Sequence, residues 1–186
     1  MEQLQKEPIL RAYPQYLEEI KKIEKASIDN AAVTIACSPS DAQGFARLYK
    51  AREDKIAIVE NGVDALGVPL MSDQQRQNVR EQLKIGNRPI AIFGGSFHFP
   101  NFQAADRLVE LAVSLPEVVF LVLGSICKYE TIDKSKLENV IKLGEVDENT
   151  KWLAFNIADI GLNPMETGSG TNVKMFEYAA AKLAIV

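Results

Sequence analysis

Residues 89–124 read PIAIFGGSFHFPNFQAADRLVELAVSLPEVVFLVLG. An apolar run from Pro89 to Phe93 ends in Gly94-Gly95, a helical stretch runs from Asn101 to about Ser114, and a second apolar run from Val118 to Leu123 ends in Gly124. Neither run alternates with polar residues, so each predicts a strand buried on both faces of a parallel sheet. The pattern continues towards the C-terminus. Strand Val140 to Leu143 ends at Gly144, and a helix from about Asn149 to Asn156 precedes strand Ala158 to Leu162. A helix from about Thr171 to Ala181 then precedes a last strand, Leu183 to Val186. Strands alternating with helices predict an α/β fold, a doubly wound parallel sheet covered by helices on both faces.

Upstream the same signals are sparser. Residues 8 to 29 have helical spacing, with Leu17, Ile20, Ile23 and Ile28 as the inward stripe. Residues 32 to 37 form an apolar run that predicts a strand buried on both faces. Pro39 closes a turn and Ser40 is placed to cap a helix from Asp41 to about Lys50. A short strand, Lys55 to Val59, ends at Asn61-Gly62. Residues 65 to 88 turn polar and Gln-rich, with a helix from Asp73 to Leu83. These features divide the chain into 1–65, a linker and helix at 66–87, and the regular α/β segment 88–186.

With 47% hydrophobic and 25% charged residues, the 186-residue chain has the composition of a globular protein. Its net charge of −4 argues against nucleic acid as a partner. No apolar run reaches the ~20 residues of a membrane-spanning helix, and the charged start does not read as a signal peptide, so a cytoplasmic location is expected. Cys37 and Cys127 lack ligand spacing and predict two buried free thiols. The chain stops inside the apolar run Leu183 to Val186, which predicts a piece of a longer protein.

In a parallel sheet of this kind the ligand lies at the carboxyl ends of the strands, where Gly94-Gly95, Gly124-Ser125, Gly144 and Gly168-Ser169-Gly170 all fall. The segment Asn163 to Tyr178, NPMETGSGTNVKMFEY, joins a strand to a helix through a Gly/Ser/Thr loop. Unpaired amides of a first helical turn suit a phosphate. Ser169 and Thr171 add hydroxyls, Lys174 adds a charge, and Glu177 lies one turn on, where a carboxylate can accept from both ribose hydroxyls. The segment is not a Walker A loop, and Gly94-Gly95-Ser96-Phe97 lacks the Gly-x-Gly-x-x-Gly spacing of a dinucleotide-dependent oxidoreductase or epimerase. A non-catalytic nucleotide-binding module remains the alternative to an enzyme. His98 reads as a loop residue among aromatics, and Trp152 with Phe155 as core.

Taken together, five blocks resemble the retaining GT-B glycosyltransferases, most closely the large bacterial family 4, or glycosyl transferases group 1. They are Asn61-Gly62-Val63-Asp64, Phe93 to Ser96 with Pro100-Asn101, Leu121 to Gly124, Leu143 to Val146, and Pro164 to Glu177. The resemblance implies two facing Rossmann-like domains. Residues 88–186 would be a donor-binding domain truncated at its C-terminus, and residues 1–65 the helix–strand end of the acceptor domain. It implies transfer of a sugar from a UDP- or GDP-type nucleotide-sugar donor in polysaccharide or glycolipid biosynthesis, without a metal or other cofactor. The acceptor, a sugar, lipid-linked or polysaccharide group, would be held by the missing domain. Peripheral membrane association belongs to the expectations for the full-length enzyme, and negligible transfer to those for the isolated chain.

The resemblance also implies site roles. Glu177 matches the second Glu of the family's Glu-x7-Glu motif, which contacts the ribose. The first would fall at Ser169, so Glu166 is the carboxylate that could replace it, and Glu166, Ser169 and Lys174 are the catalytic candidates. The family's Arg and Lys after the first strand are replaced here by Ser96 to Asn101, which leaves Lys174 and the amides of Gly170, Thr171 and Asn172 to hold the diphosphate, with Gly168 and Ser169 in the same binding loop. Gly94, Gly95 and Gly124 would line the donor, and the Gly144-Glu145-Val146 turn would read the base through backbone groups.

Overall fold

The computed structural model describes residues 14–165 and 172–186. They divide into two compact units, residues 14–62 and residues 63–165 with 173–186.

The first unit contains α1 (Pro14–Asn30), β1 (Thr34–Ala36), α2 (Pro39–Tyr49) and β2 (Ile56–Ile58). β1 and β2 pair in parallel, with Thr34 opposite Ile56 and Ala36 opposite Ile58. The cap of α2 is Ser38 rather than Ser40: its side chain accepts the Asp41 N–H and Pro39 takes the first helical position. Proline lacks the N–H that this position leaves unpaired and already has a helical φ, so it belongs inside the helix rather than before it. The Tyr49 hydroxyl donates to Glu24 and ties α2 to α1. Two expectations fail here. Ile23 is 67% exposed although Leu17, Ile20 and Ile28 are half-buried, and Ile35 is 61% exposed next to buried Ala36. β1 is therefore buried on one face only: α2 packs on the pair of strands, and within this unit no described element covers the side to which Ile35 points.

The second unit holds α3 (Asp73–Gln82), β3 (Ile90–Gly94), α4 (Phe99–Ser114), β4 (Val119–Leu123), α5 (Glu130–Asp133), β5 (Val140–Gly144), α6 (Glu148–Ile157), β6 (Ile160–Gly161), α7 (Val173–Ala180) and β7 (Ala184–Ile185). Its five strands are all parallel, in the order β5-β4-β3-β6-β7. The chain winds one way from β3 through β5 and the other way from β6 through β7, so the order reverses between β3 and β6. In open α/β sheets that reversal is where ligands bind.

Alternation along β3 and β4 feeds two cores. Ala91, Phe93, Phe120 and Val122 pack with Ala104, Ala105 and Leu108 of α4. Ile90, Ile92, Val119 and Leu121 pack on the other face with Phe155 and Ile157 of α6 and Tyr178 of α7. β7 is an edge strand with both residues exposed, unlike the buried strand expected of an apolar run. The Ser125–Lys128 turn of 3-10 helix and α5, which bury Ile126 and Ile132 in the β4-to-β5 crossover, have no counterpart among the predicted elements.

A polar clasp holds the foot of the sheet. The Asp159 carboxylate accepts the Ile90 N–H at 2.8 Å, Arg76 at 2.5 Å and Arg80 at 3.3 Å. Burial alone would raise its pKa, but the Ile90 N–H and the two guanidinium groups outweigh that and hold it below the usual carboxylate range. Ser72 and Gln75 cap α3 reciprocally, fixing the helix that carries both arginines.

Candidate functional site

The glycines at the strand ends lie side by side. The Gly95 N–H donates to the Leu123 carbonyl at 3.0 Å, the Gly124 N–H to the Gly144 carbonyl at 2.6 Å, and the Ile126 N–H to the Gly95 carbonyl at 3.1 Å. Gly124 has φ +91, and a Cβ there would meet the Gly95 carbonyl oxygen at 2.3 Å, so only glycine suits this crossing of two loops. The amides of Gly95 and Gly124 are spent on the sheet.

β3 and β6 separate at this point. Their pairing ends at Ile92 opposite Gly161, and beyond it the Gly94 N–H finds the Tyr178 hydroxyl at 3.0 Å where a continued ladder would supply a β6 carbonyl. Tyr178 is fully buried, and its burial pushes the hydroxyl up to about 12, so it stays neutral. It reaches Gly94 because Gly161 has no side chain: a Cβ there would lie 2.4 Å from the Tyr178 ring.

One turn before Tyr178, the Lys174 ammonium lies 4.5 Å from the centre of the Phe93 ring, 3.4 Å from Asn101 Oδ1 and 3.6 Å from Met165 Sδ. Asn101 is buried and donates through Nδ2 to the Ser96 carbonyl at 2.9 Å, which fixes its oxygen towards Lys174. Burial pushes the Lys174 pKa down to about 8. Among the described residues no carboxylate pairs with it, and a ring face and an amide oxygen are poor substitutes for lost water. The candidate site is thus a partly desolvated cation at the β3–β6 divergence.

Glu177 is also on α7, and its Oε1 lies 2.8 Å from Lys151 Nζ of α6. Glu145 is exposed and pairs with Lys128 at 2.6 Å. Val146 anchors its turn by packing on the α6–α7 core. Asn172 directly precedes α7. Glu166, Thr167, Gly168, Ser169, Gly170 and Thr171 lie outside the described residues. Among those described, no three His, Cys, Asp or Glu side chains converge as metal ligands, and no helix is long and apolar enough to cross a membrane. Cys37 and Cys127 are free thiols, each partly buried.

The structure thus gathers Gly94, Gly95, Gly124 and Gly144 at adjacent strand ends, with Lys174 and Glu177 on one helix beside them. Tyr178, Gly161, Asn101 and Lys151 had no predicted role. A cavity of about 560 Å³ between α4 and residues 163–165 lies to one side. Its charged residues, Arg107 and Glu110, are ion-paired to each other at 2.8 Å.

Solved structures share this architecture. The chain matches Alr3699/HepE from Anabaena, crystallised with UDP and glucose, at a TM-score of 0.72 and 16% identity, over 89% of this chain and 47% of that one. The fold is of the GT-B type. A sucrose-phosphate synthase from Thermosynechococcus elongatus matches this GT-B-type chain at 0.69 and 18% identity, over 90% and 43% of the two chains. A glycosyltransferase from Rickettsia africae matches at 0.67 and 21% identity, over 90% and 47%. The chain therefore spans slightly less than half the length of these proteins. No protein-family model and no curated protein sequence matches it.

Proposed function

We propose that the second unit binds the diphosphate of a nucleotide-sugar donor, and that the whole protein transfers the sugar to an acceptor with retention of configuration. The observation that carries this reading is the Lys174 ammonium, partly buried at the β3–β6 divergence with no carboxylate partner among the described residues. A partly buried cation with no carboxylate beside it among the described residues is unfavourable in the free protein, and an incoming diphosphate supplies a counter-charge. On this reading residues 88–186 are the donor domain of a family 4 enzyme acting in the cytoplasm. Residues 1–65 are the end of an acceptor domain that receives a sugar, a lipid-linked or a polysaccharide group.

Sugar transfer of this kind develops positive charge on the sugar ring and negative charge on the leaving diphosphate. Lys174 stabilises the leaving group in place before reaction, in a partly desolvated site where a fixed charge acts strongly. Glu177 accepts from the ribose hydroxyls, and the Gly144-Glu145-Val146 turn faces the base. The UDP of the Anabaena structure makes uridine the first nucleotide to try. The test is thermal stabilisation by UDP-, GDP- and ADP-sugars, since a ligand of the native state raises the apparent stability. A shift with at least one of them is expected, and none with any of them refutes the proposal.

A further inference from the structure

Lys151 connects two parts of the site that the sequence keeps 26 residues apart. It lies in α6, shortly after the Gly144-Glu145-Val146 turn, and its ammonium is 2.8 Å from Glu177 Oε1 on α7 and 2.8 Å from Glu148 Oε1 on its own helix. The two pairs are not equivalent. The side chains of Lys151 and Glu177 are 21% and 24% exposed, whereas Glu148 is 75% exposed. The Glu148 contact is a solvated surface pair, which counts for little. The Glu177 contact is mostly withdrawn from water, where both the attraction and the geometry weigh more. Burial opposes charge on Lys151, yet its hydrogen bonds to Glu148 and Glu177 outweigh that and keep its pKa above the ordinary lysine value.

A glutamate is a poor diol receptor unless it is held. Its terminal torsion is broad, so a free carboxylate presents its oxygens over a range of angles. The Lys151 ammonium engages Oε1 only, and a carboxylate has about four acceptor sites, so capacity for two hydroxyl donors remains. The brace comes from the helix next to the base-reading turn, which sets the carboxylate in register with a bound nucleoside.

We propose that Lys151 is a positioning residue that orients the Glu177 carboxylate for both hydroxyls of the donor ribose, so that the site selects ribonucleotides over 2′-deoxyribonucleotides. This rests on the reading of Glu177 as the ribose acceptor given above. Lys151 also relieves repulsion between Glu177 and a diphosphate, but that effect is the same for ribose and deoxyribose and leaves their ratio unchanged. The ratio therefore isolates orientation from charge and from a mere tie between α6 and α7.

The experiment is calorimetric titration of UDP and 2′-deoxy-UDP, with the GDP and ADP pairs alongside, into the wild type, Lys151→Met, Lys151→Arg and Glu177→Ala. Thermal melts confirm that each variant is folded. The wild type is expected to prefer the ribonucleotide by about tenfold or more, as the loss of one hydrogen bond to a charged acceptor implies. In Lys151→Met the preference falls to within about threefold of unity, and in Glu177→Ala it vanishes. Lys151→Arg, which keeps the charge and changes its reach, gives an intermediate ratio and serves as the readout should the Met variant not fold. A wild-type ratio retained in the Lys151 variants but lost in Glu177→Ala overturns the role of Lys151 and leaves the ribose reading standing. A ratio retained in Glu177→Ala, or no binding of any pair by the wild type, overturns that reading and this proposal with it.

Discussion

The Tyr178 hydroxyl accepts the Gly94 N–H at 3.0 Å, so a side chain of α7 completes the hydrogen bonding of β3 at the point where β6 turns away. α7 also carries Lys174 and Glu177, and this bond fixes the height of both above the β3 loop. Tyr178→Phe keeps the ring, which packs edge-on to Phe155 at 5.3 Å, and removes only the acceptor. The Gly94 N–H is only partly buried, so leaving it unpaired is expected to cost about 1 kcal/mol, the low end for a lost partner. Urea denaturation should show a lower midpoint at unchanged slope, since the surface exposed on unfolding is the same.

Gly161→Ala tests the other side of that contact. The new methyl would sit 2.4 Å from the Tyr178 ring, which is fully buried and has no free space to move into. Overpacking of this kind costs about 1–3 kcal/mol. A lower thermal midpoint together with weaker nucleotide binding is expected, because displacing Tyr178 displaces α7. Unchanged stability would mean that the strand and helix part freely.

Asp159 makes the fold sensitive to acid. Its folded pKa is held below the unfolded carboxylate value of about 3.9, so its contribution is present above that value and is lost as pH falls through the lower folded value. Asp159→Ala also leaves Arg80, which is 6% exposed, without its carboxylate. Breaking a buried pair costs about 3–5 kcal/mol, but Asp159 is itself one-third exposed, so about 2–3 kcal/mol is expected. Denaturant titrations at pH 7 and at about pH 2.5, below the unfolded value, should show a smaller difference between the two conditions in the variant than in the wild type.

Lys174 should trade stability for binding. Its folded pKa of about 8 lies below the unfolded lysine value of about 10.4, so the cost of burying the charge is borne in full below pH 8 and fades as pH rises beyond it. Lys174→Met removes that cost, and at pH 7 the ligand-free variant is expected to be more stable than the wild type by about 1–3 kcal/mol. The same titration makes nucleoside diphosphate binding weaken above pH 8 in the wild type and stay flat in the variant, a comparison for calorimetry at pH 7, 8 and 9.

The legible part of the molecule was the part set by local pattern. Continuous apolar runs such as Ile90 to Phe93 and Val119 to Leu123 have few ways to be buried except in a parallel sheet, and the glycines after them mark strand ends whatever the fold. What stayed illegible depends on pairs distant in sequence. Lys151 reads as an ordinary surface charge, and nothing in the sequence ties it to Glu177 until α6 and α7 are packed. Gly161 reads as any strand residue until the Tyr178 ring lies across it. The one-sided burial of β1 is not legible in the sequence, because an apolar run does not say how many faces are covered. The cap at Ser38 follows once Pro39 is placed at the first helical position, which makes the residue before it the cap.

The most direct measurement of the central claim is calorimetric titration of UDP, GDP and ADP into the wild-type protein and Lys174→Met at pH 7. Loss of a charge-assisted hydrogen bond, about 1.5–3 kcal/mol, predicts that the wild type binds at least one of them and that the variant binds it about 10- to 100-fold more weakly. Equal binding by the two folded proteins, or no heat with any of the three nucleotides, would contradict a diphosphate site at Lys174.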